Sequence, residues 1–245
     1  MSMSNAKKSV YNMITSILGQ VITIAMGIVI PRLVLVNLGS ENNGLLSSIT
    51  QVLGYASLLE AGVGLASLQA LYKPIAEEDK PTVNAIMSAT NLYYRRTGIA
   101  YLLLVLFLSA LYPIIIKTTI PYKTVALVVL ISGLPGVVNY YFQGKYKILL
   151  QAEGKTYIIT NLTTLIGIVT SIGKILLLQF GFGVVAVQTM YLVLSLVQML
   201  YISYYIKKNY SWMDLTAAPA YDRLSQRNSV LAHQLSGTVF SSTDA

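Results

Sequence analysis

The chain has 245 residues, 55% of them hydrophobic and 11% charged, with mean hydropathy +0.63 and a formal charge of +8. A soluble domain carries about 25% charged residues, so this composition excludes an ordinary water-facing surface. The lack of Cys excludes disulfides, thiolate metal sites and a cysteine nucleophile, and basic residues paired beside apolar runs suit anionic headgroups and membrane topology rather than nucleic acid.

A spanning helix needs roughly 20 mainly apolar residues, because the hydrocarbon core is about 30 Å thick and a helix rises about 1.5 Å per residue. The chain offers six such stretches. The first covers 10–37; preceded by Lys7 and Lys8, it is longer than a signal-peptide core and reads as a retained helix. A turn signal at 38–44 ends it. The second, 45–72, is less apolar, holds Gln51, Glu60 and Gln69, and is stopped by Lys73-Pro74. A polar segment, 75–96, leads to the third span, 97–116. The fourth, 124–143, carries Gly133, Pro135 and Gly136, which predict a kink, and continues as an amphipathic helix to about residue 151. The fifth is 156–179, and Gly181-Phe182-Gly183 turns the chain into the sixth, 184–206. The expected organisation is a six-helix lobe over 1–210, a cytoplasmic linker over 211–227, and over 228–245 the truncated start of a seventh helix. A helix cannot halt inside lipid with its last carbonyls unpaired, so the sequence predicts that the natural protein continues.

Lys and Arg alternate from side to side. The N-terminus has two, the segment after span 2 four, the segment after span 4 three and the segment after span 6 four, which places 13 of the 17 on one side. Lys117, Lys123 and Arg32 fall toward the other side, and Lys174 lies within span 5. Cytoplasmic loops concentrate Lys and Arg, so the N-terminus is expected in the cytoplasm of a cell-membrane protein.

Few residues offer chemistry. Glu60 falls near the middle of span 2, where a charge costs at least about 2.5–3.5 kcal/mol and needs water or a partner. On one continuous helix, Gln51, Tyr55 and Gln69 would share its side. That stripe would line a polar path; the plainer alternative is a structural carboxylate bonded to a neighbouring helix. Lys174 would hold an anionic substrate or snorkel to the interface. Arg32 would fork onto phosphate or anchor to headgroups. Asp244, at the centre of a seventh span, has the same insertion cost as Glu60. His233 is the only histidine, so a histidine metal cluster is excluded. Gly62-x-Gly64 lacks the third glycine of a dinucleotide fingerprint and fits close helix packing instead. The tyrosine pairs 93–94, 140–141 and 204–205 read as interfacial anchors. No nucleophile–base set, paired carboxylates or metal spacing is present, so the reading calls for no enzyme, cofactor or metal.

Pro31-Arg32 closing the first span, Leu38-Gly39-Ser40-Glu41 with Asn43-Gly44, Leu58-Leu59-Glu60-Ala61-Gly62-Val63-Gly64 with Ala66, Leu71-Tyr72-Lys73-Pro74 and Ser241-Ser242-Thr243-Asp244 carry a resemblance. Together they resemble the Wzx-like polysaccharide repeat-unit flippases, of the superfamily that includes multidrug and lipid-linked oligosaccharide exporters. The resemblance implies an all-α polytopic bundle, the first lobe of a two-lobe transporter. It also implies flipping of undecaprenyl-diphosphate-linked oligosaccharides from the inner to the outer leaflet, for O-antigen, capsule or exopolysaccharide. Arg32 and Lys174 would then offset the diphosphate, and Glu60, Gln51 and Gln69 would bond sugar hydroxyls. Glu60 or Asp244 would couple transport to an ion gradient. Membrane lipids, a polysaccharide polymerase and glycosyltransferases are the implied partners. The alternatives are a multidrug/cation antiporter of the same superfamily, a membrane glycosyltransferase or polymerase, and an assembly subunit.

Overall fold

The computed structural model describes residues 5–56, 60 and 63–224. Seven α-helices lie within them: α1 (Asn5–Ala56), α2 (Val63–Ala76), α3 (Lys80–Ile115), α4 (Tyr122–Val138), α5 (Gly144–Ala152), α6 (Thr156–Gln179) and α7 (Val184–Asn209). A π-helical turn, Asn139–Gln143, joins α4 to α5. No β-strand occurs among the described residues. Five of the helical stretches are long and apolar enough to cross a bilayer.

Contacts at the two ends of the bundle show six crossings. At one end, the Asn12 amide donates to the Gly154 carbonyl at 3.1 Å, Tyr157 N–H donates to Asn12 Oδ1 at 2.6 Å, and the Asn84 amide donates to the Trp212 carbonyl at 3.3 Å. At the other end, Glu41 accepts from the Thr118 hydroxyl at 2.8 Å and also bonds Thr119. Leu38 and Asn42 lie there beside Gly183 and Val184. The chain therefore passes from residue 12 to 41, back to about 76, out to 116, back to 153, out to 181 and back to 210.

Three expectations need correction. The first two spans are joined by one helical element, which reverses at Gly39 with φ 87° and ψ 168°. That backbone region is essentially restricted to glycine, so the predicted turn narrows to one residue. The second span is not one α-helix over 45–72: of its described residues, those to Ala56 belong to α1 and those from Val63 to α2, while Glu60 lies in a 3-10 turn. Lys73-Pro74 does not stop α2, which runs to Ala76 with Pro74 buried in its last turn.

The polar segment 75–96 is mostly helical as well. The Asp79 carboxylate accepts from Thr82 N–H at 3.1 Å, Pro81 occupies the first turn, and α3 starts there. Its buried residues Val83, Ile86, Met87, Thr90 and Tyr94 recur at helical spacing beneath exposed charges. The 36 residues of α3 span about 54 Å, so nearly half of the helix extends beyond the hydrocarbon. The fourth span passes from α4, with Pro135-Gly136 near its end, through the π turn into α5 and reaches Ala152. The fifth span, 156–179, matches α6. The seventh helix near Asn228, with Asp244, lies outside the described residues.

Packing uses small residues where helices touch. A Cβ on Gly133 would lie 2.5 Å from Val105 Cγ2, and one on Gly144 would lie 2.1 Å from Tyr94 Cε1. Lipid offers no hydrophobic drive between helices, so such close approach supplies the dispersion contact. One core joins α2, α3, α5 and α7 around Leu71, Ile86, Val105, Leu149 and Ile202. A second, toward the Glu41 end, joins Leu45 and Ile49 to Val125, Val128 and Val129. Tyr94 and Tyr140 are 1% and 6% exposed, so they are core residues and not interfacial anchors, whereas Tyr204 is 63% exposed.

Candidate functional site: two polar cavities that share a lysine

Lys174 lies on α6, 18 residues after Thr156. It lines two cavities at once. The larger, about 600 Å³, runs between α1 and α6. Ser16, Gln20 and Thr23 come from α1 at one-turn spacing, and Thr160, Thr163, Thr164, Thr170 and Ser171 come from α6. The smaller, about 400 Å³, lies among Thr50, Tyr101, Ser132, Gln188 and Tyr191. Tyr191 also borders both, and Lys174 Nζ sits 5.4 Å from its ring centroid. That ring face is the cation's visible partner, and no carboxylate lies within ion-pair distance among the described residues.

The walls have free hydrogen-bonding capacity. Thr170, which lines the larger cavity, has a buried hydroxyl without a partner. Ser132, which lines the smaller cavity, also has a buried hydroxyl without a partner. Gln198 donates to the Thr163 hydroxyl at 3.3 Å, leaving its carbonyl oxygen available. The walls carry hydroxyl and amide groups, not a set of ligands for a metal. Among the described residues no group of three His, Cys, Asp or Glu side chains could hold one.

Glu60 stands apart from these cavities. The Tyr94 hydroxyl donates to Glu60 Oε1 in a short hydrogen bond. A Cβ on Gly64 would lie 3.1 Å from that hydroxyl, so the glycine clears the approach. The π turn supplies Tyr140, which is packed close enough to feel the carboxylate, and Asn139, whose amide oxygen accepts from Lys147 Nζ. Lys147 is within electrostatic reach of Glu60 but outside ion-pair distance. π turns often mark functional positions; this one holds Tyr140 within electrostatic reach of the carboxylate and Asn139 against Lys147.

The structure therefore separates the residues that sequence grouped together. Glu60 lies in a 3-10 turn, off the α-helical register that would align it with Gln51, Tyr55 and Gln69, and those three are exposed. Arg32 is exposed and lines neither cavity, and Asp244 lies outside the described residues. Sequence reasoning missed Tyr94, Tyr191 and the Ser/Thr ladder. The i, i+3, i+4 spacing of Ser16, Gln20 and Thr23, and of Thr160, Thr163, Thr164 and Thr170, was the available signal.

No protein-family model matches the chain, and no curated protein matches it. Solved structures do. An outward-facing multidrug resistance MATE family transporter of the MOP superfamily superposes with TM-score 0.73 at 18% identity, covering 97% of this chain and 54% of the other. A MATE structure in the bent conformation gives TM-score 0.69 at 19% identity, covering 94% and 52%. A MOP superfamily transporter from Pyrococcus furiosus, described as having a binding pocket of reverse polarity that suggests a different function, gives TM-score 0.72 at 18% identity, covering 94% and 52%. The chain thus spans about half the length of the transporters it matches, and over that length it has their all-helical, multi-pass membrane fold.

Proposed function

We propose that the chain is the first lobe of a flippase that moves lipid-linked oligosaccharides, carried on undecaprenyl diphosphate, from the inner to the outer leaflet during envelope polysaccharide synthesis. One observation supports this reading above the others: Lys174, without a carboxylate partner among the described residues, stands between two cavities walled by hydroxyl and amide groups. A diphosphate headgroup with its sugars cannot cross about 30 Å of hydrocarbon unaided. A cation meets its phosphate charge, and Ser, Thr and Gln side chains replace the water around its sugars. Arg32 would meet the phosphate nearer the outer surface, and Gln51 and Gln69, both exposed, would contact sugars from the second lobe's side. Glu60, and Asp244 beyond the described residues, are the candidate coupling carboxylates. The second lobe would close the cavities and rock against the first. The N-terminus and the Lys- and Arg-rich end face the cytoplasm of the cell membrane in this reading, beside the glycosyltransferases and polymerase that make and use the cargo.

A multidrug antiporter is the second reading, favoured by the likeness of the fold to a multidrug resistance MATE family transporter. A cationic drug would meet Lys174 as a repulsive charge. The test reconstitutes the full-length protein in vesicles and follows lipid-linked repeat units into the outer leaflet. Flipping that falls tenfold or more in Lys174→Gln and recovers in Lys174→Arg supports the flippase. Efflux of a cationic dye that is unchanged or increased in Lys174→Gln, with no flipping by the parent protein, supports the antiporter and overturns it.

A further inference from the structure

The Lys- and Arg-rich end contains two kinds of cation. Three are matched to carboxylates: Lys73 to Glu77 at 3.8 Å, Lys155 to Glu153 at 2.5 Å, and Arg223 to Asp222 at 3.9 Å. A second group between α3 and α5 meets neutral oxygens instead. Lys145 Nζ donates to Asn91 Oδ1 at 2.7 Å and lies 5.0 Å from the Tyr146 ring. Arg95 donates to the Tyr141 hydroxyl from Nη2 at 2.9 Å and from Nε at 3.2 Å, with its guanidinium 5.3 Å from the same ring. Arg96 follows it, and both arginines are exposed. None of the three lies within ion-pair distance of a carboxylate among the described residues.

The arrangement is built and internally repulsive. Arg95 lies close enough to Lys145 for their like charges to interact, and Asn and Tyr side chains cannot neutralise them. The frame is tight: a Cβ on Gly98 would lie 2.8–2.9 Å from Tyr141 atoms, including its backbone nitrogen. The π turn thereby fixes Tyr141, and Tyr141 fixes Arg95. Several guanidinium and ammonium donors remain free, since Arg has five N–H groups and Lys three. Depth identifies the missing charge. The uncharged run of α3 starts at Thr97 and extends to Ile115, enough to cross the hydrocarbon. Arg95 and Arg96 therefore lie where the hydrocarbon ends and lipid phosphates begin.

We propose that Arg95 and Arg96, supported by the charge of Lys145 behind them, form a binding site for the phosphate of a lipid headgroup at the Lys- and Arg-rich face. The site is separate from Lys174 and stands whether or not the chain is a flippase. Basic pockets between membrane helices recognise anionic headgroups in this way. Arg is suited to it because its planar fork matches two phosphate oxygens. The phosphate comes either from a resident phospholipid or from a polyprenyl diphosphate waiting to enter the lobe.

The test is native mass spectrometry of the full chain released from detergent after titration with dioleoylphosphatidic acid, with dioleoylphosphatidylcholine as the neutral control. The parent chain should retain phosphatidic acid in preference to phosphatidylcholine. Each of Arg95→Gln and Arg96→Gln should weaken that retention about fivefold, as expected for a cation near a membrane surface. Lys145→Gln should weaken it less, since it acts through its field. A competition arm adds farnesyl diphosphate: displacement of phosphatidic acid assigns the site to cargo lipid, and undisturbed retention assigns it to phospholipid. Equal retention of the two phospholipids by the parent overturns the proposal, as does unchanged retention in the doubly substituted Arg95→Gln/Arg96→Gln chain. Both arginines are exposed, so these variants keep the test valid if Lys145→Gln fails to fold.

Discussion

Gly144→Ala tests whether the Glu60 node is held by packing. The new Cβ would fall 2.1 Å from Tyr94 Cε1, 2.4 Å from Cδ1 and 3.0 Å from Cζ. Carbon atoms prefer a separation of about 3.5–4.0 Å, so the ring must retreat by more than an ångström. Tyr94 is 1% exposed and has no open space to enter. Overpacking of this kind costs about 1–3 kcal/mol. The same movement withdraws the hydroxyl from Glu60, and a hydrogen bond to a charged group contributes about 1.5–3 kcal/mol. The sum is about 2.5–6 kcal/mol, large against the roughly 5–15 kcal/mol total of a typical domain. Tyr94→Phe removes the hydrogen bond alone and should cost about 1.5–3 kcal/mol. If the alanine acts partly through that bond, the double variant should cost less than the sum of the single ones by most of the bond's value. Denaturant or thermal unfolding in one detergent measures all four proteins. Additivity of the two changes within about 0.5 kcal/mol would refute the claim that Gly144 positions Glu60 through Tyr94.

Further predictions concern the ends of the bundle. Gly39→Ala should destabilise the lobe by about 1–3 kcal/mol, because φ 87° with ψ 168° suits only glycine; a melting temperature equal to the parent's would remove the reversal from the account. The Thr82 hydroxyl and N–H hold the Asp79 carboxyl below its ordinary value. The cap should therefore stabilise α3 above the ordinary carboxylate range and lose that effect as pH falls through the lower folded value. Asp79→Ala should flatten the acid limb of a pH–stability profile. Burial, and then the hydrogen bond to Glu153, push the Tyr210 hydroxyl well above its ordinary value. Its contribution should be complete below about pH 10 and decline as pH rises toward the higher folded value; in an ultraviolet tyrosinate titration, Tyr210→Phe should remove one late-titrating group.

The crossings could be read because lipid imposes a length of about 20 apolar residues, a rule independent of tertiary contacts. Thus 156–179 coincides with α6, and the Gly181-Phe182-Gly183 turn precedes α7 as expected. The departure of Glu60 from the α-helical register could not be read from hydropathy, because the sequence around it stays apolar while a partner on another helix, Tyr94, bonds its carboxylate. The extension of α3 was hidden for the opposite reason. Charges on its exposed face masked Val83, Ile86, Met87 and Thr90 at helical spacing beneath them. Lys174 was found because a lysine within an apolar run is conspicuous. Its hydroxyl neighbours were not, since a Ser or Thr in a spanning helix commonly bonds its own preceding turn, as Thr23 does to the Gly19 carbonyl at 2.8 Å.

The charge balance along the crossings is what separates the two transport readings. Of the carboxylates among the described residues, Glu41 lies at the turn bonded to Thr118 and Thr119, while Glu77, Glu78, Asp79, Glu153, Asp214 and Asp222 lie in turns or linkers at the opposite end. Only Glu60 lies along a crossing, and it already has a hydroxyl donor in Tyr94 and a cation in Lys147 within reach. Lys174 has the ring of Tyr191 and two polar cavities. An aromatic face offsets a cation by about 0.5–2 kcal/mol, less than the several kilocalories that removal from water costs an ion. The remaining imbalance is positive and faces the cavities, so a mobile anion would relieve it and a mobile cation would add to it. Replacing Lys174 with Gln removes the imbalance while keeping a polar side chain of similar reach. In a chain that also carries Arg95→Gln and Arg96→Gln, it should therefore abolish any remaining preference for an anionic over a neutral lipid, and a preference that survives there would place the cargo charge elsewhere.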